Sequence, residues 1–154
     1  MNAVAVSATE ITCILGGGRT GTYQVVVIVD QVGASTPTSA SDFDYKIVVD
    51  SVSATSSSMG GGYEMIITGQ NFSPGGSSNH AFIGDAINNL CEVTSATETE
   101  IKCEVPKMHA DYTSGQVLNV VVTGRYTEES LCEGTCTFSY DAAQTTNIVV
   151  PADL

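Results

Sequence analysis

Apolar residues come in short runs rich in Val, Ile and Thr, at 24–30, 46–52, 64–69, 100–105 and 118–123. Runs of that length and composition, several with every second position apolar, predict β-strands. Between them lie turn-forming clusters: Gly16-Gly17-Gly18, Gly60-Gly61-Gly62 and Pro74-Gly75-Gly76. No stretch carries a 3.6-residue apolar period with capping residues at both ends, so helices are not expected. Short strands separated by glycine-rich turns point to an all-β fold of two packed sheets.

The pattern also repeats. Ser7-Ala8-Thr9-Glu10-Ile11-Thr12-Cys13 returns as Thr97-Glu98-Thr99-Glu100-Ile101-Lys102-Cys103. Each copy continues through a glycine-containing turn into a Val-rich strand, 21–29 or 115–122. Each then closes on Phe-x-Tyr, as Phe43-Asp44-Tyr45 and Phe138-Ser139-Tyr140. A further strand follows each Tyr, Ile47-Val48-Val49 and Ile148-Val149-Val150. A period of about 90 to 100 residues is one small sandwich domain. The expected division is therefore 1–45 as the back half of one domain, 46–141 as a complete domain, and 142–154 as a linker and the first strand of a following one.

Composition narrows the function classes. With 42% apolar residues among 154 the chain can bury a core. Only 14% of residues are charged, against about 25% in an ordinary globular protein; Ser, Thr and Gly make up the difference. Seventeen acids against five bases leave a formal charge of −12. Nucleic acids and anionic membrane surfaces are held by clustered Lys and Arg, so neither is an expected partner. The apolar runs 25–29 and 117–122 are too short to span a bilayer, and no direct membrane insertion is expected. Met1-Asn2-Ala3 does not begin a signal peptide, so a secreted parent is expected to carry its signal upstream.

The five cysteines are Cys13, Cys91, Cys103, Cys132 and Cys136. None forms a CxxC pair and the histidines are only His80 and His109, which gives a zinc site poor support. A Ser/Thr-rich chain with few bases reads instead as a disulfide framework in an oxidising compartment. Cys91 and Cys103 are twelve residues apart, and a hairpin of that span can bring them within bonding reach. Cys13 matches Cys103, so it is expected to be half of a bridge whose other half precedes Met1. The alternative, a reactive thiol, needs a basic or helix-N-terminal setting that this segment lacks.

These residues resemble the IPT/TIG family. The resemblance runs from Ile47-Val48-Val49-Asp50-Ser51-Val52-Ser53 and Gly60-Gly61-Gly62 to Met65-Ile66-Ile67-Thr68-Gly69-Gln70-Asn71-Phe72. It continues through Ala81-Phe82-Ile83-Gly84, Cys91-Glu92-Val93, Ile101-Lys102-Cys103-Glu104-Val105-Pro106, Val120-Val121-Val122-Thr123-Gly124 and Phe138-Ser139-Tyr140. It implies an immunoglobulin-like β-sandwich of the kind found in tandem in plexin-like and fibrocystin-like ectodomains, and singly in some transcription factors and starch-acting enzymes. It also implies a Cys91–Cys103 bridge. Gly69 would then permit a tight bend and Phe72 would plug the core. Cys132 and Cys136 enclose Glu133-Gly134-Thr135, so a second small bridge is expected there, a departure from the single bridge common in the family.

Candidate sites are few. Asn71-Phe72-Ser73 is an N-glycosylation sequon, although Pro74 and the family's structural use of Asn71 count against it. Asn89-Leu90-Cys91 is a weaker, cysteine-type sequon expected to stay bare. Thr36 and Thr38, around Pro37, are candidate O-glycan acceptors; the Ser/Thr cluster 51–58 reads as solvated loop. Asp42, Asp44 and Asp50 bracket the first domain junction, but without calcium-loop spacing they read as solvated acidic surface. No nucleophile, base or phosphate loop can be assembled around His80, His109 or the glycines, so no catalytic residue, cofactor or metal is expected. The expected role is a non-catalytic structural or adhesive module of an extracellular tandem-repeat protein, stacked end to end with copies of itself or adjacent domains into a rod or filament. The alternative is part of a plexin- or fibrocystin-like cell-surface receptor with a protein or glycan ligand. A module accessory to a glycan-acting enzyme would need exposed aromatic platforms, and the chain has no Trp.

Overall fold

The computed structural model describes residues 3–7, 9–13, 20–84, 89–124 and 129–145. The expected strand at 148–150 lies outside these residues. In chain order the first strands are β1 (Ala3–Val6), β2 (Ile11–Cys13), β3 (Gly21–Gln24), β4 (Ile28–Val29), β5 (Gly33–Ala34) and β6 (Asp42–Tyr45). They pair antiparallel as three two-stranded ribbons, β1 with β2, β3 with β6 and β4 with β5. The remainder are β7 (Val48–Val52), β8 (Ser56–Ser58), β9 (Glu64–Gln70), β10 (His80–Ile83), β11 (Leu90–Ala96), β12 (Glu100–Glu104), β13 (Val117–Thr123), β14 (Leu131–Thr135) and β15 (Thr137–Asp141).

These nine form one curled sheet in the order β14-β7-β9-β12-β11-β10-β13-β15-β8. Two strands let it fold over on itself. The start of β11 pairs with β10 through Cys91 and Leu90, whereas Glu92 to Ala96 pair with β12. At the other side the chain pairs with β9 through β7 and then with β15 through β8. The result is an all-β, immunoglobulin-like sandwich.

Period-two alternation decides what fills it. Met65 and Ile67 on β9, Ile101 and Cys103 on β12, Leu118, Val120 and Val122 on β13, and Phe138 and Tyr140 on β15 are all buried. Ile47, Val49, Val52, Phe72, Ala81, Ile83, Cys91, Val105 and Cys136 complete the core. Gly69 is required for room, not for a bend: a Cβ there would overlap the Val48 carbonyl and meet the Phe72 ring. The bend itself falls on Asn71, at φ 64°, where Asn is one of the few side chains that tolerate the left-handed region. The 51–58 cluster also departs from the expected loop. Ser51 belongs to β7, Ser56–Ser58 is β8, and Ser57 is buried. Small hydroxyl side chains let this crossing strand lie close against the sandwich while its backbone pairs with β15.

The described residues between 3 and 45 reproduce the local geometry of the second copy. In the β1–β2 hairpin the pairs are Ala3 with Cys13, Ala5 with Thr12 and Val6 with Ile11. Adding 90 to each number gives the pairs of β11 and β12, irregularity included. The Ser7 hydroxyl receives the Thr9 and Glu10 amides, as the Thr97 hydroxyl receives those of Thr99 and Glu100. An offset of 95 relates the closing segments. Phe43 faces Tyr23 as Phe138 faces Leu118. Val25 N–H donates to the Ser41 carbonyl as Val120 N–H does to that of Cys136. Val27 N–H donates to the Ser35 hydroxyl as Val122 N–H does to that of Ser130.

Burial does not follow the geometry. Leu118 and Val120 are 5% and 2% exposed, but their counterparts Tyr23 and Val25 are each 38% exposed. Ile101 is fully buried while Ile11 is 46% exposed. In the second copy β7, β9 and Phe72 contribute the facing part of the core.

Candidate functional site

The two bridges differ in setting. Cys91 and Cys103 are bonded at an S–S distance of 2.08 Å with Cα atoms 5.4 Å apart. Both are fully buried, where β11 passes from one layer to the other, so the bridge pins the fold-over of the sheet. Cys132 and Cys136 are bonded at 2.07 Å with Cα atoms 6.0 Å apart. Cys136 is buried, but Cys132 lies on β14, all five residues of which are exposed. Gly134 between them touches the Asp50 backbone so closely that a Cβ would overlap its carbonyl oxygen.

Cys13 ends β2, half-buried, opposite Ala3. The register corrects the expectation that its partner position precedes Met1. The hairpins are offset by 90, so the position matching Cys91 is Met1 itself.

Asn71 donates from Nδ2 to the Lys46 carbonyl at 2.8 Å. This ties the end of β9 to the chain entering β7 and leaves one Nδ2 hydrogen unused. Asn79 holds the following residue, its Oδ1 accepting from Ser73 N–H at 2.9 Å and its Nδ2 donating to the Ser73 carbonyl at 2.7 Å. Asn89, in the second sequon, is buried, and its Nδ2 donates to the Ile83 carbonyl at 2.9 Å and to the Tyr140 hydroxyl at 3.0 Å. A glycan on that nitrogen would break these bonds. The Tyr140 hydroxyl donates in turn to the Pro106 carbonyl at 3.0 Å. Burial raises the Tyr140 pKa, the Asn89 bond partly offsets this, and the neighbouring Tyr112 raises it further. This polar pin between β15, the β10–β11 connection and the segment after β12 was not singled out from sequence. The only available signal was an Asn within a strand region that also had to satisfy a closing Tyr.

Thr36 and Thr38 lie in an exposed loop beside Pro37. The Ser41 hydroxyl bonds the Thr38 carbonyl at 2.7 Å, which turns the chain into a short 3-10 segment, Ser39–Ser41. Asp44 accepts from the Thr22 hydroxyl at 2.7 Å and faces Lys46 at 4.0 Å; Asp42 is exposed and Asp50 half-buried in β7. Among the described residues no group of three or more His, Cys, Asp or Glu could hold a metal ion. His80 stacks beside Phe82, and His109 pairs with Asp111 at 3.2 Å. No helix among the described residues is long and apolar enough to cross a membrane.

A curled immunoglobulin-like sandwich pinned by a buried bridge, with its Asn and Tyr side chains used in structural hydrogen bonds, defines a binding or structural module, a class that is generally non-catalytic. The IPT/TIG domain family model matches residues 48–140, more than half of the chain. The chain belongs to the IPT/TIG family. Among curated proteins, none matches it significantly.

Proposed function

We propose that this chain is a non-catalytic structural or adhesive segment of an extracellular tandem-repeat protein, in which IPT/TIG domains follow one another end to end as a rod or filament. The observation that carries this reading is the repeated hydrogen-bond pattern: the hairpins β1–β2 and β3–β6 adopt the paired geometry of a sandwich's back half while the core-type side chains Ile11, Tyr23 and Val25 stay exposed. Ile28, Val29 and Val32, at 77%, 50% and 82% exposed, extend that apolar surface. Exposed apolar side chains in such number mark a contact face, and the second copy shows the chemistry that fits it, a front half like β7 to β10. A neighbouring domain of the same chain is the natural source, since one donated strand cannot replace a missing front half. On this division 1–45 is the back half of one domain, 46–141 a complete domain and 142–154 the passage to the next.

The disulfides favour an oxidising compartment, outside the cell or at its surface. Asn71, with one amide hydrogen uncommitted, and the exposed Thr36 and Thr38 are the proposed glycan acceptors. Limited proteolysis of the 154-residue chain tests the array. Cleavage confined first to 1–45, and suppressed when the coding sequence upstream supplies the preceding residues, is the expected result. A chain whose first 45 residues resist protease as well as 46–141 do would overturn it. Material from the native source should carry both bridges and a mass above that of the bare sequence; free thiols at Cys91 and Cys103 would sink the extracellular reading.

A further inference from the structure

The second copy differs from the first at the two cysteines that close its last hairpin. By the offset of 95, Cys132 and Cys136 correspond to Pro37 and Ser41, and Gly134 to Ser39. In the first copy that stretch is loop and 3-10 turn, held by the Ser41 hydroxyl on Thr38. In the second it is β14, the end strand of the nine-stranded sheet, lying parallel to β7.

Besides the bridge, only backbone contacts to β7 and its approach hold β14 there, among them the close fit of Gly134 on Asp50. None of its five residues is buried, so burial of apolar surface does not fasten it. Its pairing with β7 is short and interrupted: Leu131 with Val48 and Cys132 with Val49, then a shift to Thr135 with Ser51. Cys136 is anchored in the core, and its bond to Cys132 pulls the exposed strand back onto the sheet. Carbonyls stand ready for both sulfurs in their reduced form, Val49 O at 3.3 Å from Cys136 Sγ and Gly134 O at 3.3 Å from Cys132 Sγ.

We propose that the Cys132–Cys136 bridge is a reducible clasp: oxidised, it holds β14 over the outer edge of β7; reduced, it releases β14 and bares that edge. The chemistry is thiol–disulfide exchange with an external dithiol. A thiolate of the dithiol attacks the exposed Cys132 sulfur, the Cys132–Cys136 bond breaks, and Cys136 leaves as a thiolate and takes up a proton. The second thiol of the dithiol, as thiolate, then attacks its own sulfur in the mixed disulfide. Cys132 is released and protonated, and the reagent ends as a cyclic disulfide. Two electrons and two protons pass to the protein. Cys91–Cys103, fully buried, offers no such approach, so the two bridges should separate in their response.

The test titrates the intact chain with dithiothreitol without denaturant, traps thiols with iodoacetamide and maps the labelled peptides. Cys132 and Cys136 should label at a reductant concentration about tenfold or more below that needed for Cys91 and Cys103. Under the same conditions the Leu131 amide, bonded to the Ile47 carbonyl at 2.9 Å, should exchange hydrogen about tenfold faster or more, while Ile67 and Cys103 amides keep their rates. A double variant, Cys132→Ser with Cys136→Ser, should show the same exchange without reductant; if it does not fold, the titration of the unaltered chain decides alone. Simultaneous reduction of both bridges, or selective reduction with no change at Leu131, overturns the proposal.

Discussion

Replacing Tyr140 by Phe removes a single oxygen from the centre of the polar pin and leaves the packing of the ring in place. The ring is 1% exposed and stands edge-on to Phe138 with centroids 5.1 Å apart, so the variant creates almost no cavity. Two hydrogen bonds vanish, the one from Asn89 Nδ2 and the one to the Pro106 carbonyl, each of 3.0 Å. Asn89 keeps its bond to Ile83, but one buried N–H loses its acceptor, and such a group costs about 1–3 kcal/mol. A loss of about 2 kcal/mol is expected at neutral pH, a fall in Tm of about 10 °C for a domain of this size.

The same oxygen sets an alkaline limit. Burial raises the Tyr140 pKa above 10.0, so below pH 10 the hydroxyl is protonated in both states and its contribution is fully present. Above pH 10 the unfolded chain ionises first, and stability falls until the pH passes the raised folded value. Urea melts of wild type and Tyr140→Phe from pH 7 to 11 would measure both effects. The gap between the two proteins should be constant to about pH 10 and narrow above it. A variant as stable as wild type at pH 7, or a gap that does not narrow at alkaline pH, would refute the assignment of the pin.

Three other substitutions probe the frame. Replacing Cys91 and Cys103 together by Ala should lower unfolding free energy by about 3 kcal/mol from loop entropy alone, read from urea midpoints against an unchanged Cys132–Cys136 bridge. Gly69→Ala should destabilise by about 1–3 kcal/mol through overpacking, because its Cβ would overlap the Val48 carbonyl; Gly76→Ala, whose Cβ would rest 3.5 Å from Val93, serves as the tolerant control. Asn71→Ala should cost about 1–2 kcal/mol for a left-handed backbone without a suited side chain, whereas Asn71→Gly should recover most of that loss in thermal melts.

The strands that alternate were legible. Predicted runs at 46–52, 64–69, 100–105 and 118–123 fall on β7, β9, β12 and β13, each with one face in the core. Runs without alternation were not. The expected strand at 24–30 is broken: the β3–β6 ladder ends at Gln24, whereas β13 makes the same loop bonds but stays a strand because β10 pairs with it from Val120 to Thr123. β8 and β14 had no apolar signature: one is three serines and the other is wholly exposed. Both exist by backbone pairing to partners distant in sequence. Matching the two copies by their glycines, Gly21 with Gly115, is also out by one position, since the ladder places Gly21 with Gln116. A slip of one exchanges the faces of a strand; it would make Val26 rather than Val25 the counterpart of core Val120.

The two copies separate what local sequence dictates from what the whole sandwich supplies. A Val-rich segment, a Ser eight residues after the second of its paired valines and a closing Phe-x-Tyr recur at the same spacing, and the hydrogen bonds they make recur with them. Those bonds form in the first copy although Tyr23, Val25 and Ile11 remain largely exposed. The hairpin geometry is thus the same in both copies while the burial of its apolar side chains differs. Short ribbons of this kind are marginal in water, so the same sequence that writes their pairing also calls for a cover. Where the second copy has that cover, the core side chains fall to near-zero exposure and the buried disulfide locks the fold-over between layers. In the second copy, packing against β7, β9 and Phe72 and the buried bridge thus act together on the same hairpin geometry.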